Sequence, residues 1–215
     1  MTRSAAVLFR RNDQPALFAQ YGALRRRLFV EHLGWDLDVR DDLELDGFDH
    51  ETTIYAALLR GNTLVGGFRV LPTDGPFLGA VAFPQLAALR PYPRRADCHE
   101  VTRFGVDPEA ADPKDGLRLY ALMFRFAQLH GSRSLVAVCD ETYERFLRGM
   151  GVRTLRYGPP VTVAQDRFGR PVVALAGEIP IALQNGSRFT RLLAHADDME
   201  IHDETSVLGR ARLSA

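Results

Sequence analysis

Residues 99–107 read HEVTRFGVD, an alternating pattern that is typical of a β-strand. Glu100 and Thr102 should point to one face of that strand, and Val101 and Arg103 to the other. A strand that buries ionisable side chains needs partners that offset their desolvation. Upstream candidates for these partners are Asp46, Asp49 and Arg69. The stretch therefore predicts a polar cluster within an apolar sheet; the alternative is a pair of exposed charges at a strand end.

The elements around this strand include both helices and strands. Amphipathic spacing predicts helices over 14–31, 115–130 and 141–150. Strands are predicted over 53–60, 63–71, 98–106 and 134–139, with a hairpin over 161–176 and a short helical or irregular piece over 81–89. We therefore expect an α/β fold with a mixed, twisted sheet flanked by helices. The chain should form a single domain, 1–215, with a tail from about 184 that is a terminal helix or partly disordered.

The bulk composition excludes several classes of function. Acidic and basic residues balance at 27 each in 215 residues, so no net charge favours nucleic acid or an anionic membrane. No apolar run approaches the length of a membrane span, and the N-terminal run is too short for a signal peptide. Cys98 and Cys139 lack the spacing of zinc ligands. We therefore expect a reduced, cytoplasmic protein with no metal site.

Charge is uneven along the chain although the total cancels. Between Glu31 and Glu51, nine acidic residues accompany one arginine, a pattern that indicates either a cation-binding surface or a solvated loop. A basic group follows much later in the chain and consists of Arg145, Arg148, Arg153 and Arg156. This group predicts either a surface for an acidic partner or a plain solvated helix face.

Four short motifs share one order and spacing with a known family. The chain carries, in this order, Arg25, Phe29, Trp35, Asp46, Asp49, Arg69, Phe83, Glu100 and Arg103. This set, over about residues 20–160, resembles the acyl-homoserine-lactone synthases of the LuxI type, the autoinducer synthases. The joint occurrence is far more specific than any single motif.

The resemblance implies a fold similar to that of the GNAT N-acetyltransferases. It also implies a reaction in which a fatty acyl thioester acylates the α-amine of S-adenosylmethionine. The product then lactonises and expels methylthioadenosine, which yields a quorum-sensing signal. S-adenosylmethionine is a substrate in this scheme, and no cofactor is implied.

The charge of S-adenosylmethionine suggests physical roles for these residues. Its sulfonium and ammonium favour carboxylates, which Asp46 and Asp49 supply. Trp35 and Phe29 can add cation–π attraction of about 0.5 to 2 kcal/mol, or they can simply pack in the core. Arginines must balance the buried acids, and the candidates are Arg25, Arg69 and Arg103. Phe83 and Phe104 complete the expected S-adenosylmethionine site.

Glu100 is the candidate general base that removes a proton from the amine, directly or through a water. The competing interpretation is a structural Glu100 paired with an arginine. The catalytic group expected from the resemblance is Glu100, Arg103, Asp46 and Arg69, and a backbone N–H near Ala137 or Phe104 is the candidate oxyanion donor.

An apolar tunnel should hold the acyl chain. The candidate lining residues are Met123, Phe126, Ala137, Val138 and Met150. Family members that make 3-oxo signals often carry Thr where alignment places Ala137. The missing hydroxyl favours an acyl chain without a 3-oxo group.

The acyl donor is expected to be an acyl-acyl carrier protein, because that partner is acidic and the chain offers the basic group around Arg148. Acyl-coenzyme A is the alternative, since its phosphates suit the same arginines. Two other functions stay open: a related GNAT-like acyltransferase with another amine, and a non-catalytic homologue that binds carrier protein.

Overall fold

The computed structural model describes residues 4–205, which divide into two compact units. The first unit contains 4–70, 103–123 and 194–205, and the second contains 71–102 and 124–193. The single domain expected from the sequence stays a prediction.

The strands are β1 (Ser4–Arg10), β2 (Val39–Arg40), β3 (Leu43–Glu44), β4 (Ile54–Arg60), β5 (Thr63–Pro72), β6 (Cys98–Val106), β7 (Ser134–Cys139), β8 (Leu155–Arg156), β9 (Val161–Gln165), β10 (Pro171–Pro180) and β11 (Met199–Asp203). The α-helices are α1 (Pro15–Arg25), α2 (Leu78–Ala82), α3 (Asp115–Leu129), α4 (Glu141–Gly149) and α5 (Ser187–Ala194). A π-helical segment covers Arg26–His32, and 3-10 turns cover Pro84–Leu86 and Ile181–Leu183.

In the first unit the strand order is β11-β1-β4-β5. Strand β1 runs parallel to β11 and antiparallel to β4, which in turn runs antiparallel to β5. Helix α1 packs its apolar side on this sheet, where Phe18 and Tyr21 meet Phe9 and Tyr55. This packing anchors the helix whose last residue, Arg25, is fully buried.

The acidic segment is neither a plain solvated loop nor a uniformly exposed surface. Strands β2 and β3 form a hairpin whose turn residues, Asp41 and Asp42, have positive φ angles of 50° and 64°. Aspartate tolerates this left-handed conformation better than most residues. The turn is exposed, but Glu44 at the end of the hairpin is fully buried.

In the second unit the strand order is β6-β7-β10-β8, and β9 also pairs with β10. Strands β6 and β7 are parallel, whereas β10 runs antiparallel to β7, β8 and β9. The core here is built on Leu86, Val136, Tyr157 and Ala176. A mixed sheet flanked by helices is thus confirmed.

Helices α3 and α4, strands β4 to β7 and the β9–β10 hairpin lie where the sequence predicts them. The tail after 184, expected to be a terminal helix or partly disordered, contains helix α5, but strand β11 follows that helix. Strands β1, β2, β3, β8 and β11 were not predicted, because their short or polar segments gave no clear period. Residues 206–215 of the tail lie outside the described residues. Within 4–205, every helix is too short or too polar to cross a membrane.

Candidate active site

Six charged side chains of the first unit form one network, here called the ion-pair cluster. Its members are Arg25, Arg69, Arg103, Glu44, Asp46 and Asp49. Three arginines balance three carboxylates, so the buried charges compensate one another. The polar cluster predicted from residues 99–107 is therefore present, with Arg103 as its contribution from β6.

Arg25 joins two of the carboxylates at the end of α1. Its Nη1 and Nη2 donate to the two oxygens of Asp49 at 2.8 and 3.0 Å, and its Nε donates to Glu44 Oε2 at 2.5 Å. Asp49 also accepts from the Tyr55 hydroxyl at 3.0 Å and from the backbone N–H of Asp46 at 2.8 Å. Both oxygens of this buried carboxylate are therefore satisfied, as burial requires.

Arg103 reaches the same cluster from an irregular point in β6. Its Nε and Nη2 donate to the two oxygens of Glu44 at 3.0 Å each, and Nη2 also donates to Asp46 at 3.1 Å. The regular alternation predicted for this strand is wrong at Arg103, whose φ is +52°. The backbone leaves the β region there, so the side chain does not take the direction of a regular strand.

Arg69 and Asp46 form the third part of the cluster. Arg69 Nη2 donates to Asp46 Oδ2 at 2.9 Å, and Nη1 lies 3.1 Å from Asp49 Oδ1. The side chain of Asp46 is 21% exposed, whereas those of Glu44 and Asp49 are 0% and 2% exposed. Asp46 is thus the carboxylate of the cluster with most access to a ligand.

The arginines keep all three carboxyl groups ionised. Burial acts to raise the pKa of Glu44, but hydrogen bonds from Arg103 and Arg25 outweigh it and lower the pKa. The same balance of burial against arginine contacts lowers the pKa of Asp46 and of Asp49. Burial raises the pKa of the Tyr55 phenol, which therefore stays a proton donor.

Two aromatic residues lie beside the cluster. Phe29, in the π-helical segment, stacks on Trp35 with ring centroids 5.3 Å apart. The backbone N–H of Trp35 donates to the backbone carbonyl of Phe29 at 2.9 Å, and the Arg103 guanidinium carbon lies 5.7 Å from the Phe29 ring centre. Phe29 is buried and Trp35 is half-buried, so Trp35 is the more accessible of the two aromatic residues. π-Helical turns are rare in proteins, and those that occur are often found at functional sites.

Glu100, in the second unit, is a fully buried carboxylate held by backbone donors. Its Oε2 accepts from the Leu78 N–H at 2.8 Å, and its Oε1 accepts from the Gly79 N–H at 2.7 Å. These donors are the first residues of helix α2, and no sequence pattern indicated them. Each oxygen of the Glu100 carboxylate therefore accepts a backbone hydrogen bond.

Glycine at 79 is required for this contact. A Cβ there would lie 2.8 Å from Glu100 Oε1 and 3.4 Å from Val138 Cγ2. The candidate base and one acyl-pocket candidate therefore both lie close to the Cβ position of Gly79. Any side chain at this position would displace the carboxylate.

The other acyl-pocket candidates vary in burial. Met123 and Phe126 on α3 are buried, whereas Ala137 on β7 and Met150 after α4 are half-buried. Val138 packs at the edge of the second unit's core. Their grouping into a tunnel stays a prediction.

Phe83 and Phe104 lie in different units. Phe83 ends α2 in the second unit and packs at the edge of the same core as Val138. Phe104, in the first unit, stacks on Phe68 at 5.8 Å and lies 4.5 Å from Tyr120, both measured between ring centroids. Their roles in S-adenosylmethionine binding stay proposals.

The basic group surrounds a groove in the second unit. A cavity of about 620 Å³ is lined by Arg148, Arg153 and Arg156 together with Glu144, Val152, Thr154, Leu155 and Leu183. Arg156 donates to Glu144 at 2.5 and 2.8 Å, and Arg148 donates to it at 3.3 Å. Arg145 donates to Thr142 on its own helix. Glu144 therefore neutralises part of the charge that the sequence alone suggested.

Sequence reasoning missed Glu44, Tyr21 and Tyr55 as members or neighbours of the site. Glu44 was one of nine acids in a run, and its place between Leu43 and Leu45 does not distinguish it. Asp36 and Asp38 also lie between apolar residues, and both are exposed. The two tyrosines had ordinary core patterns.

The fold is that of a GNAT-like acyltransferase, with a mixed sheet flanked by helices. A putative N-acetyltransferase from Lactobacillus plantarum shares it at a TM-score of 0.56 and 19% identity, over 82% of this chain and 99% of that one. The CoA-dependent acyl-homoserine lactone synthase BjaI, solved with SAM and isopentyl-CoA, has a TM-score of 0.83 at 24% identity, over 98% and 99% of the two chains.

The chain belongs to the autoinducer synthase family, whose model matches residues 9–179. An acyl-homoserine-lactone synthase of Acinetobacter nosocomialis is 33% identical over 165 residues, which cover 72% of this chain and 90% of that protein. The CoA-dependent acyl-homoserine lactone synthase MesI is 26% identical with a TM-score of 0.73, over 88% and 95% of the two chains. The chain is accordingly an acyltransferase that makes an acyl-homoserine lactone for quorum sensing.

Proposed function

We propose that this enzyme binds S-adenosylmethionine at the ion-pair cluster and acylates its α-amine from a fatty acyl thioester. The observation that carries the proposal is the partial exposure of Asp46 within a cluster whose other carboxylates are buried. A cationic substrate gains most from a carboxylate that is ionised, held in place by arginines and still accessible. The BjaI structure with SAM supports the choice of substrate.

The residues of the ion-pair cluster and the aromatic residues have different roles in this proposal. Asp46 faces the cationic substrate, and Trp35 with Phe29 offers a ring face to the sulfonium. Arg25 and Asp49 hold Glu44 and Arg69 in place, since each pair shares buried hydrogen bonds. Phe83 and Phe104 contribute apolar contacts to the same substrate.

The chemistry runs in two steps. The ammonium of S-adenosylmethionine loses a proton to Glu100, directly or through a water, and the free amine attacks the thioester carbonyl. The carbon–sulfur bond of the thioester breaks and the thiol leaves, so an amide forms. The substrate's own carboxylate then attacks the carbon next to the sulfonium, which closes the lactone and releases methylthioadenosine.

A structural role for Glu100 has its own support. Two backbone N–H groups at the start of α2 donate to this carboxylate, so its loss would also leave Leu78 and Gly79 without their acceptor. A general base and a support for α2 are compatible in one residue, because a carboxylate has acceptor positions for both. The two roles separate in their pH dependence, since only the base role changes turnover with proton availability.

The acyl chain is proposed to lie against Met123, Phe126, Ala137, Val138 and Met150. Ala137 offers no hydroxyl to a 3-oxo group, which favours an unsubstituted chain.

We propose an acyl-acyl carrier protein as the donor, with Arg145, Arg148, Arg153 and Arg156 as its docking surface. Acyl-coenzyme A is the second candidate, because BjaI and MesI are both CoA-dependent. Both substrates are metabolites of the cytoplasm, and we infer that the enzyme works there.

The test uses the purified enzyme with S-adenosylmethionine and either acyl-acyl carrier protein or acyl-coenzyme A. Mass spectrometry should detect one acyl-homoserine lactone for each methylthioadenosine released. Asp46→Ala should abolish both products, whereas Asp36→Ala, an exposed acid of the same segment, should leave them unchanged. Absence of lactone with every donor, beside an active control enzyme, would overturn the proposal. Acylation of another amine without methylthioadenosine would indicate the related GNAT-like reaction.

A further inference from the structure

Arg103 has a backbone conformation that needs support. Three non-glycine residues within 4–205 have positive φ, and two of them, Asp41 and Asp42, lie in an exposed turn. Arg103 instead lies inside strand β6, where L-residues rarely adopt a left-handed φ. Such outliers persist only where the surrounding structure fixes them.

Tyr21 supplies a contact that fixes it. The Tyr21 hydroxyl donates to the carbonyl oxygen of Arg103 at 2.8 Å. Burial raises the pKa of the phenol, so the donor proton is retained at all working pH values. The bond acts on the backbone of Arg103 and leaves its guanidinium free to bind the carboxylates.

The Tyr21 ring is itself held on several sides. It is 1% exposed, meets Tyr55 edge-on at 6.0 Å between ring centroids, and lies 5.6 Å from the Arg25 guanidinium carbon. A Cβ at position 67 would lie 2.8 Å from the Tyr21 ring, so Gly67 leaves room for it. A ring fixed in this way can place its hydroxyl at one point.

The aim of the Arg103 side chain depends on that backbone. Its two bonds to Glu44 and its bond to Asp46 are geometrically demanding, because a planar guanidinium must meet two carboxylates at once. A return of φ to the ordinary β region would turn the side chain away from them.

We infer that Tyr21 is a positioning residue, which holds the left-handed backbone of Arg103 and so aims its guanidinium at Glu44 and Asp46. This inference rests on the proposed function, in which the ion-pair cluster binds S-adenosylmethionine. Tyr21 touches neither the substrate nor the reacting atoms in this scheme. It acts only through Arg103.

Titration calorimetry of S-adenosylmethionine binding tests the inference. Tyr21→Phe keeps the ring and removes the donor, and should weaken binding about 5- to 10-fold, the scale of one lost hydrogen bond. In an Arg103→Lys background, which has already lost the two-pronged contact, Tyr21→Phe should weaken binding by less than about twofold. Tyr55→Phe is the matched control, because it removes a hydroxyl that donates to Asp49. It should weaken S-adenosylmethionine binding by the same factor in both backgrounds.

Unchanged binding in Tyr21→Phe, or an equal loss in both backgrounds, would overturn the inference. A Tyr21→Phe variant that fails to fold would also overturn it, since a positioning residue is dispensable for folding. If the unmodified enzyme does not bind S-adenosylmethionine, the proposed function fails by itself. A crystal structure of Tyr21→Phe then decides: a negative φ at Arg103 with lost Glu44 contacts supports the inference, and an unchanged Arg103 overturns it.

Discussion

Arg103 donates two hydrogen bonds to Glu44, each 3.0 Å long, across 59 positions of the sequence. Glu44 also accepts from Arg25 at 2.5 Å, so two arginines from distant segments converge on one buried carboxylate. Such charge-assisted bonds are among the strongest that side chains form. Glu44 thereby ties the acidic segment to β6 and to α1.

Removal of the Glu44 charge should destabilise the protein strongly. In Glu44→Gln, Arg25 and Arg103 keep their buried charges but lose a charged acceptor, at an expected cost of about 3 kcal/mol. Urea denaturation measures this as a lower free energy of unfolding. Asp42→Asn, in the exposed turn of the same hairpin, is the control and should change the free energy by less than about 0.5 kcal/mol. Equal effects of the two substitutions would show that the buried ion pairs of Glu44 do not stabilise the fold.

Acid should destabilise the fold through the cluster. The pKa values of Glu44, Asp46 and Asp49 are lower in the folded protein than in the unfolded chain, where they are about 4. Their contribution is therefore complete above about pH 5 and is lost as pH falls through the lower folded values. Thermal unfolding between pH 7 and pH 3 should show a falling Tm, with a shallower fall in Glu44→Gln. Identical slopes in the two proteins would exclude Glu44 as a source of the effect.

Replacement of Glu100 should affect both turnover and stability. Glu100→Gln should lower kcat about 100-fold or more, the usual scale for a lost general base. Because an amide NH₂ would face one of the two backbone N–H donors, the free energy of unfolding should also fall by about 1 to 3 kcal/mol. If Glu100→Gln turned over as fast as the unmodified enzyme between pH 6 and pH 9, the base role would be excluded. The support of α2 would then be the remaining role of Glu100.

Gly79→Ala tests the same carboxylate without changing it. The added Cβ would lie 2.8 Å from Glu100 Oε1 and must displace it, so turnover should fall at least about 10-fold. Gly75→Ala, which would meet no atom within 4 Å, is the matched control and should keep full activity. Steady-state rates and Tm for both variants measure the difference. A fully active Gly79→Ala would show that the exact position of Glu100 is unimportant.

Charge reversal at Arg148, which lines the groove of the second unit, should distinguish between the two candidate acyl donors. Arg148→Glu should raise the KM for acyl-acyl carrier protein in a salt-dependent way and spare the KM for S-adenosylmethionine. Arg133→Glu, another strongly exposed arginine of the second unit, is the control. Faster turnover with acyl-coenzyme A than with any acyl-carrier protein would overturn the carrier-protein assignment and leave the rest of the mechanism in place.

The sequence by itself determined helices α3 and α4, the region of α1, and strands β4 to β7, β9 and β10, because apolar periodicity is a local property of the chain. It also determined the family, since the spacing of Arg25, Phe29 and Trp35 and of the later motifs is readable without coordinates. The mixed α/β fold followed from both. Strands β1 and β11 were not predicted, because short or polar segments become strands only through pairing with their partners.

The tertiary structure alone decided which charges are buried and what they contact. Glu44 was one acid among nine in the sequence, and only its pairing with Arg25 and Arg103 distinguishes it. The backbone donors of Glu100 and the left-handed φ of Arg103 likewise depend on chain segments that lie far apart in sequence. Desolvation and hydrogen-bond geometry act between neighbours in space, so no local pattern of residues encodes them.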